Sequence, residues 1–327
     1  MASFLCSAKF FFFLFLLSAI PIAFLISLEL AKPTSHVYLY HSTGWLRESA
    51  KWDALHHRFL VSFMSGGIGE ISVPENHSLG TILEEVQVVN DVDLAGNASL
   101  GLVIDGARNR VLLVSADAIG KRYGALSAYD LSTWKRLFHT QLSGPNDEKS
   151  FAEDVAVDPE GNAYVTDANS NKLWKVGVDG KLLATIRSPV FIPKEWYKNL
   201  VGLNGIVYHP DGFLLVVHTF SGGLFKVDIA NGNEVKQIKV DGGPLTFADG
   251  IELVSPTKLV VAGNPSGRLV ESSDGWETAS VLATFSGPKH RLASAATVKD
   301  GKVYLNHLIG IGYPKKKHAL VEAVFSS

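Results

Sequence analysis

After residue 36 the apolar residues of this chain fall in runs of four to six, rich in Val, Ile, Leu, Tyr and Phe and separated by turn residues. Short runs bounded by Gly, Pro, Asn and Asp read as β-strands. Six segments align without gaps: Glu48–Asp53, Leu100–Asp105, Glu153–Asp158, Asn204–His209, Asp249–Val254 and Ser294–Lys299. Each is followed by a polar turn, such as Asp158-Pro-Glu-Gly-Asn162 or His209-Pro-Asp-Gly212, and then by a second apolar run, so each pair reads as a β-hairpin. Third runs follow at Ala125–Tyr129, Lys172–Val176, Gly223–Val227 and Arg268–Glu271, and fourth runs at Leu182–Ile186 and Glu234–Ile238.

The first positions of the six segments, 48, 100, 153, 204, 249 and 294, lie 45 to 53 residues apart. A unit of this length cannot bury both of its faces alone and must stack on its neighbours. Four short antiparallel strands per unit make the blade of a β-propeller. No stretch after residue 36 carries the three-to-four-residue spacing of a helical solenoid. The 291 residues from 37 to 327 accommodate six blades, so the expected fold is all-β: one six-bladed β-propeller over 37–327 without a linker. Hydrophobic residues at 46% suffice for the core, and 30 Gly suit many tight turns.

Residues 1–36 differ in kind. Lys9 precedes 19 uncharged, mostly apolar residues from Phe10 to Leu28, near the lower limit for spanning a bilayer. The segment reads as a secretory signal or a signal anchor, the second attaching the protein to a membrane through residues 10–28. Either predicts a place in the secretory pathway, outside the cell or in an endomembrane lumen. Two sequons, Asn76-His-Ser78 and Asn97-Ala-Ser99, fall in expected inter-blade connections and predict a glycoprotein. The only cysteine, Cys6, lies in the leader, which rules out disulfides, thiolate metal sites and cysteine nucleophiles in the propeller. With 30 basic and 32 acidic residues there is no broad positive field, so nucleic acid is not expected as a partner. Lys315–Lys317, the one basic run, reads as a solvated loop.

The first strand of every propeller blade lines the central channel, so residues at one repeat position form a ring around the axis. Four of these positions carry side-chain oxygen donors: Glu48, Glu153, Asn204 and Asp249. Any one of them alone reads as a turn cap; their shared register points to convergence at one mouth. Carboxylates brought that close repel unless a cation compensates. An all-oxygen donor set favours Ca²⁺, with Mn²⁺, Mg²⁺ or Zn²⁺ as other divalent ions. Calcium takes about six to eight oxygens, so four protein donors leave about two to four positions for water or substrate. An open site of that kind suits Lewis-acid catalysis.

Second strands return to the same mouth and end in Asp117, Asp167, Asn169, His218, Asn264, Asn306 and His307. His218 is a candidate proton acceptor, against the plainer reading of an imidazole bonded to a neighbouring turn. Asp154, next to Glu153, would support the ring from behind. The Gly-x-Ser-x-Gly elbow and the phosphate-cradling Gly loop are both absent from the sequence.

These positions resemble the gluconolactonase and senescence-marker-protein family, with paraoxonase, diisopropylfluorophosphatase and, more distantly, strictosidine synthase relatives, over most of the chain after about residue 40. Arg47-Glu48-Ser-Ala-Lys-Trp-Asp53 resembles the family's first-blade Glu motif, and Glu153-Asp154 with Asp158-Pro-Glu-Gly stands at its Asn-Asp motif. Leu203-Asn204-Gly-Ile206 and Ala248-Asp249-Gly-Ile251 match the later metal-binding Asn and Asp. The resemblance implies a six-bladed propeller holding Ca²⁺ or a similar ion through Glu48, Asn204 and Asp249, and hydrolysing lactones or organophosphate esters. Glu153 departs from it, because hydrolytic relatives place Asn there. The extra carboxylate would tighten cation binding, alter metal choice or hold a proton.

The expected function is therefore metal-dependent hydrolysis of a small-molecule ester, a lactone above all, with Asp249, Glu153 or His218 drawing the proton from water. Two other readings stand beside it. Residues 167–174, Asp-Ala-Asn-Ser-Asn-Lys-Leu-Trp, resemble repeats of NHL-type ligand-binding propellers, which suits a non-catalytic module binding protein or glycan around a structural cation. The strictosidine-synthase branch works without metal on this scaffold, which suits a condensing enzyme. An open mouth above the ring favours an enzyme, and a ring capped by side chains favours a binding module.

Overall fold

The strands lie where the apolar runs predict them. The computed structural model describes residues 8–78, 80–264 and 266–325, and the chain forms two compact units, residues 1–34 and 35–327. In the first unit, helix α1 (Ala8–Leu30) is apolar on every side and contains Pro21. Its 21 residues Phe10–Leu30 are long and apolar enough to cross a membrane.

The second unit opens with β1 (Val37–Ser42). Blade one contains β2 (Arg47–Asp53), β3 (Arg58–Phe63) and β4 (Ile68–Ser72); the chain then lends β5 (Ile82–Glu84) to another sheet and returns with β6 (Val86–Val89). Blade two is β7 (Ala98–Asp105), β8 (Arg110–Ala116), β9 (Gly124–Asp130) and β10 (Arg136–Ser143). Blade three is β11 (Ala152–Val157), β12 (Ala163–Asp167), β13 (Lys172–Val176) and β14 (Leu182–Arg187). Blade four is β15 (Leu203–His209), β16 (Phe213–His218), β17 (Leu224–Asp228) and β18 (Glu234–Asp241). Blade five is β19 (Ala248–Ser255), β20 (Lys258–Gly263), β21 (Ser266–Glu271) and β22 (Thr278–Phe285), joined to blade four by parallel pairing of β18 with β22. Blade six is β23 (Ala293–Lys299), β24 (Lys302–His307) and β25 (Lys316–Glu322).

The first strands pack side by side in a closed circle, β2 against β7, then β11, β15, β19, β23 and back to β2. This is a six-bladed β-propeller. Closure comes from the N-terminal end: β1 pairs antiparallel with β25, from Val37 opposite Val321 to Ser42 opposite Lys316, and β5 adds to β1 in parallel. Joining the first strand to the last buries two edges that would otherwise stay unpaired. The unit begins slightly before residue 37, because the His36 carbonyl already accepts the Glu322 N–H at 2.8 Å.

The core is not one mass but a layer between each pair of neighbouring blades. Leu112, Val114 and Leu126 of blade two meet Val155, Val165 and Trp174 of blade three, and Leu215 and Val217 of blade four meet Leu259 and Val261 of blade five. Similar layers fill the other four interfaces. Strands buried on both faces explain the continuous apolar runs that replace strict alternation. Buried arginines tie successive blades together. Arg58 holds Asp53 at 2.9 Å and donates to the Leu131 carbonyl of blade two; Arg110 holds Asp105 at 2.9 Å and donates to the Gly161 and Val178 carbonyls of blade three.

The sequons differ in setting. Asn76 is exposed, in the long connection that leads from β4 of blade one to β5 in the sheet of blade six. Asn97 does precede blade two, but it is half-buried, and Ser99 is fully buried with its hydroxyl accepting the Gly67 N–H at 2.9 Å.

Candidate metal centre

All six inner strands share a local irregularity at the repeat position. Opposite the second strand, Glu48-Ser49, Leu100-Gly101, Glu153-Asp154, Asn204-Gly205 and Asp249-Gly250 each set two residues against one, and Ser294 is the extra residue in blade six. A bulge of this kind re-aims a side chain and breaks the ladder locally. Hydroxyls opposite the bulge take up an N–H: Ser62 accepts from Ser49 at 2.9 Å and Thr166 from Asp154 at 3.0 Å.

The bulges bring one carboxylate oxygen from each of Glu48, Glu153 and Asp249 within 4.8 Å of one another. The space they face with Asp154 and Ser294 is about 10 Å³, enough for about one ion or water. Glu153 is buried, while Glu48 and Asp249 keep partial exposure toward the channel. The Oδ1 of Asn204 is buried and makes no hydrogen bond. Burial is the first cause that raises all three ring carboxyls. Glu48, facing Asp154, is pushed up to about 7, and Glu153 rises well above the carboxylate range against Asp249 and Glu48. Asp249 rises similarly against Glu48, with the Asn204 side chain offsetting part of the increase. In the absence of a cation the three carboxyls therefore favour protons, with Lys51 the one basic side chain among the described residues that borders the same space. Three carboxylates around an ion-sized space fit the donor set of a hard divalent cation, and Asn204, bonded to Asp249 with its own Oδ1 unpartnered, is the neighbouring oxygen that could join them.

Lys51 borders the same space from below, pairs with Glu252 and donates to the Ala296 carbonyl at 3.0 Å. Asp154 accepts the N–H groups of Val155 at 2.9 Å and Ile206 at 3.2 Å; burial raises it to about 6 despite Lys51. Asp154 thus stitches β11 to β15 behind the ring. Lys51 and Glu252 also border a second space of about 250 Å³ farther along the channel, walled by Val103, Val155, Ile206 and Tyr208.

The polar ends of the second strands are mostly turn caps. Asp117 accepts the N–H groups of Ile119 and Gly120, and Asp167 those of Phe151, Asn169 and Ser170. Asn169 accepts from Lys121 and donates to the Lys149 carbonyl. His218 is fully buried, its Nδ1 accepts the Ser221 N–H at 3.3 Å, and burial pulls it down to about 4. It does not line the ring cavity. Its Nε2 has no hydrogen-bond partner. His307 is buried too, and Asn264 is exposed beside Phe247, whose carbonyl accepts its N–H. Asn306 alone of the set reaches the ring strands: its Nδ2 donates to the carbonyls of Arg47 and Glu48. In the sequence only its place at the end of a second strand marks Asn306.

A family model described as a beta-propeller repeat matches residues 137–166. No curated protein sequence matches the chain. Among solved structures, the major allergen Mala s 1 of Malassezia sympodialis is similar with TM-score 0.68 and 16% identity over 88% of this chain and 96% of that one. A luciferin-regenerating enzyme is similar with TM-score 0.56 and 12% identity over 89% and 98%, and a streptogramin B lyase with TM-score 0.52 and 12% identity over 89% and 100%. The likeness is one of fold, shared by enzymes and by a protein named only as an allergen.

Proposed function

We propose that the chain is a cation-dependent hydrolase of small cyclic esters, lactones above all. The observation that carries this reading is the convergence of Glu48, Glu153 and Asp249 around one ion-sized space, with Asn204 bonded to Asp249 through its side chain and its Oδ1 left without a partner. A bound divalent ion, Ca²⁺ in the first instance, supplies Lewis-acid polarisation of an ester carbonyl. Glu48 and Asn204 serve as holding groups. Glu153 and Asp249 are the groups that take a proton from water. Partial exposure of Glu48 and Asp249 supports an open site over a capped structural one. Helix α1 supports a secretory route as signal or anchor, and the exposed Asn76 offers a glycan site on that route.

The test is turnover of a panel of lactones and aryl esters with Ca²⁺ or Mn²⁺. Saturating cleavage that disappears on chelation and in Asp249→Ala is the expected result. No turnover with either ion overturns the reading.

A further inference from the structure

Three residues beyond the ring position, the six inner strands carry Lys51, Val103, Ala156, Val207, Glu252 and Thr297. At about 3.3 Å per residue this layer lies roughly 10 Å farther along the channel than the donors, toward the turns that join first strands to second. All six residues border the one space of about 250 Å³, so the repeat that builds the ring also builds a second chamber behind it.

The wall of that chamber is divided. Around the closed circle of first strands, blades five, six and one contribute Glu252, Thr297 and Lys51, whereas blades two, three and four contribute Val103, Ala156 and Val207. The apolar arc is backed by the core: Val103 packs on the layer between blades two and three and Val207 on that between blades four and five, yet both remain only half-buried where they border the chamber. On the polar arc, the Lys51 ammonium donates to Glu252 and to the Ala296 carbonyl at 3.0 Å, which uses two of its three protons. The Thr297 hydroxyl accepts the Trp52 N–H at 2.9 Å and keeps its own proton. Among the described residues neither leftover proton has an acceptor.

We infer that this chamber is a second small-molecule site, separate from the cation ring, for a neutral compound with a one-ring apolar body and a single acceptor oxygen, an aryl or cycloalkyl ketone in chemical class. The oxygen lies with Lys51 and Thr297, and the body lies against Val103, Ala156 and Val207. A cavity of about 150 Å³ takes benzene, so about 250 Å³ takes one ring with a short substituent. A carboxylate loses to Glu252 what it gains from Lys51 and still surrenders its water, and a cation must displace Lys51 from Glu252. A hydrocarbon leaves both donors unpaired. The inference does not depend on the hydrolase reading.

The experiment uses the full-length protein and four probes read by fluorine NMR: para-fluoroacetophenone, para-fluorotoluene, para-fluorobenzoate and para-fluorobenzylamine. The ketone should bind about tenfold tighter than para-fluorotoluene, which lacks the acceptor, and tighter than either ion. Val207→Trp, which fills the apolar arc, should abolish ketone binding and leave the calorimetric Ca²⁺ titration unchanged; Val103→Phe fills the same arc from blade two and gives the same result where the Trp variant does not fold. In the double variant Lys51→Met with Glu252→Gln, which removes both charges together, the ketone and para-fluorotoluene should bind alike. Ketone binding should persist with chelator and in Asp249→Ala. A ketone that binds no better than para-fluorotoluene, no binding by any probe, or binding that survives both filling variants overturns the chamber. Ketone binding that disappears with chelator or in Asp249→Ala belongs to the ring and overturns it too, whereas a failure of ester turnover overturns the hydrolase alone.

Discussion

The Nδ2 of Asn306 lies 2.6 Å from the carbonyl oxygen of Arg47 and 3.2 Å from that of Glu48, so blade six holds the main chain that presents the first ring carboxylate. Ser294 reinforces it, its hydroxyl donating to the same Glu48 carbonyl at 2.6 Å. Two blades far apart in sequence therefore set the position of one donor.

Asn306→Leu keeps the volume but leaves buried carbonyls short of a donor, a loss of about 1–3 kcal/mol. A shift in stability alone would mark Asn306 as structural. We expect weaker cation affinity as well, read by calorimetric titration of Ca²⁺, and no such change in Asp211→Asn on the exposed turn after β15. Unaltered affinity in Asn306→Leu would separate blade six from the ring.

Glu153→Gln should change sign with the cation. Without it, removing one of three crowded carboxylates relieves repulsion and raises the melting temperature; with it, the variant loses a ligand and the Ca²⁺-induced rise shrinks. Scanning calorimetry with Ca²⁺ and with chelator gives both numbers. A variant destabilised equally in the two conditions would mean that Glu153 is only packed.

Burial, with the crowding added to it, fixes a pH dependence. In the cation-free protein Glu48 is raised to about 7, and Glu153 and Asp249 lie above the usual carboxylate range. The native ring therefore keeps protons that the unfolded chain has released. Its stabilising contribution is full below the ordinary carboxylate pKa and is lost as pH rises through 7 and beyond. Ca²⁺ competes with those protons, so the rise in melting temperature on adding it should be small near about pH 5 and grow through about pH 8. Burial pulls His218 and His307 down to about 4, which weakens the fold in acid; they act on loaded and free protein alike and cancel in the difference. An increment that falls with pH would sink the cation ring.

Much of this is legible because a propeller repeats. The apolar runs at 163–166 and 172–176 form β12 and β13 almost residue for residue, and four donors in one register suffice to place Glu48, Asn204, Glu153 and Asp249 on the inner strands. Closure is not legible: Val37–Ser42 reads as any strand, and its partner β25 is nearly the whole chain away. The bulges are hidden as well, since an extra residue in a ladder leaves no mark in hydrophobic periodicity. From sequence His218 looks like Asp167 because both end a second strand, and their shared position is that of a turn cap.

The glycines beside the donors give the last test, and they show how closely the inner strands approach. Gly205 follows Asn204 in its bulge, and a Cβ there would overlap the Asp249 carbonyl and crowd the Ile251 N–H at 2.9 Å. Those atoms belong to the neighbouring inner strand, whose backbone cannot yield without moving Asp249 itself. At Gly106, on the far turn of blade two, a Cβ would meet no heavy atom within 4 Å. Gly205→Ala should therefore cost about 1–3 kcal/mol by overpacking and weaken Ca²⁺ binding, whereas Gly106→Ala should stay within about 0.5 kcal/mol. Chemical denaturation and calorimetric titration of both variants decide it. Equal effects would mean that the ring tolerates wider spacing between blades four and five, and that Asn204 and Asp249 need not be held this close to share an ion.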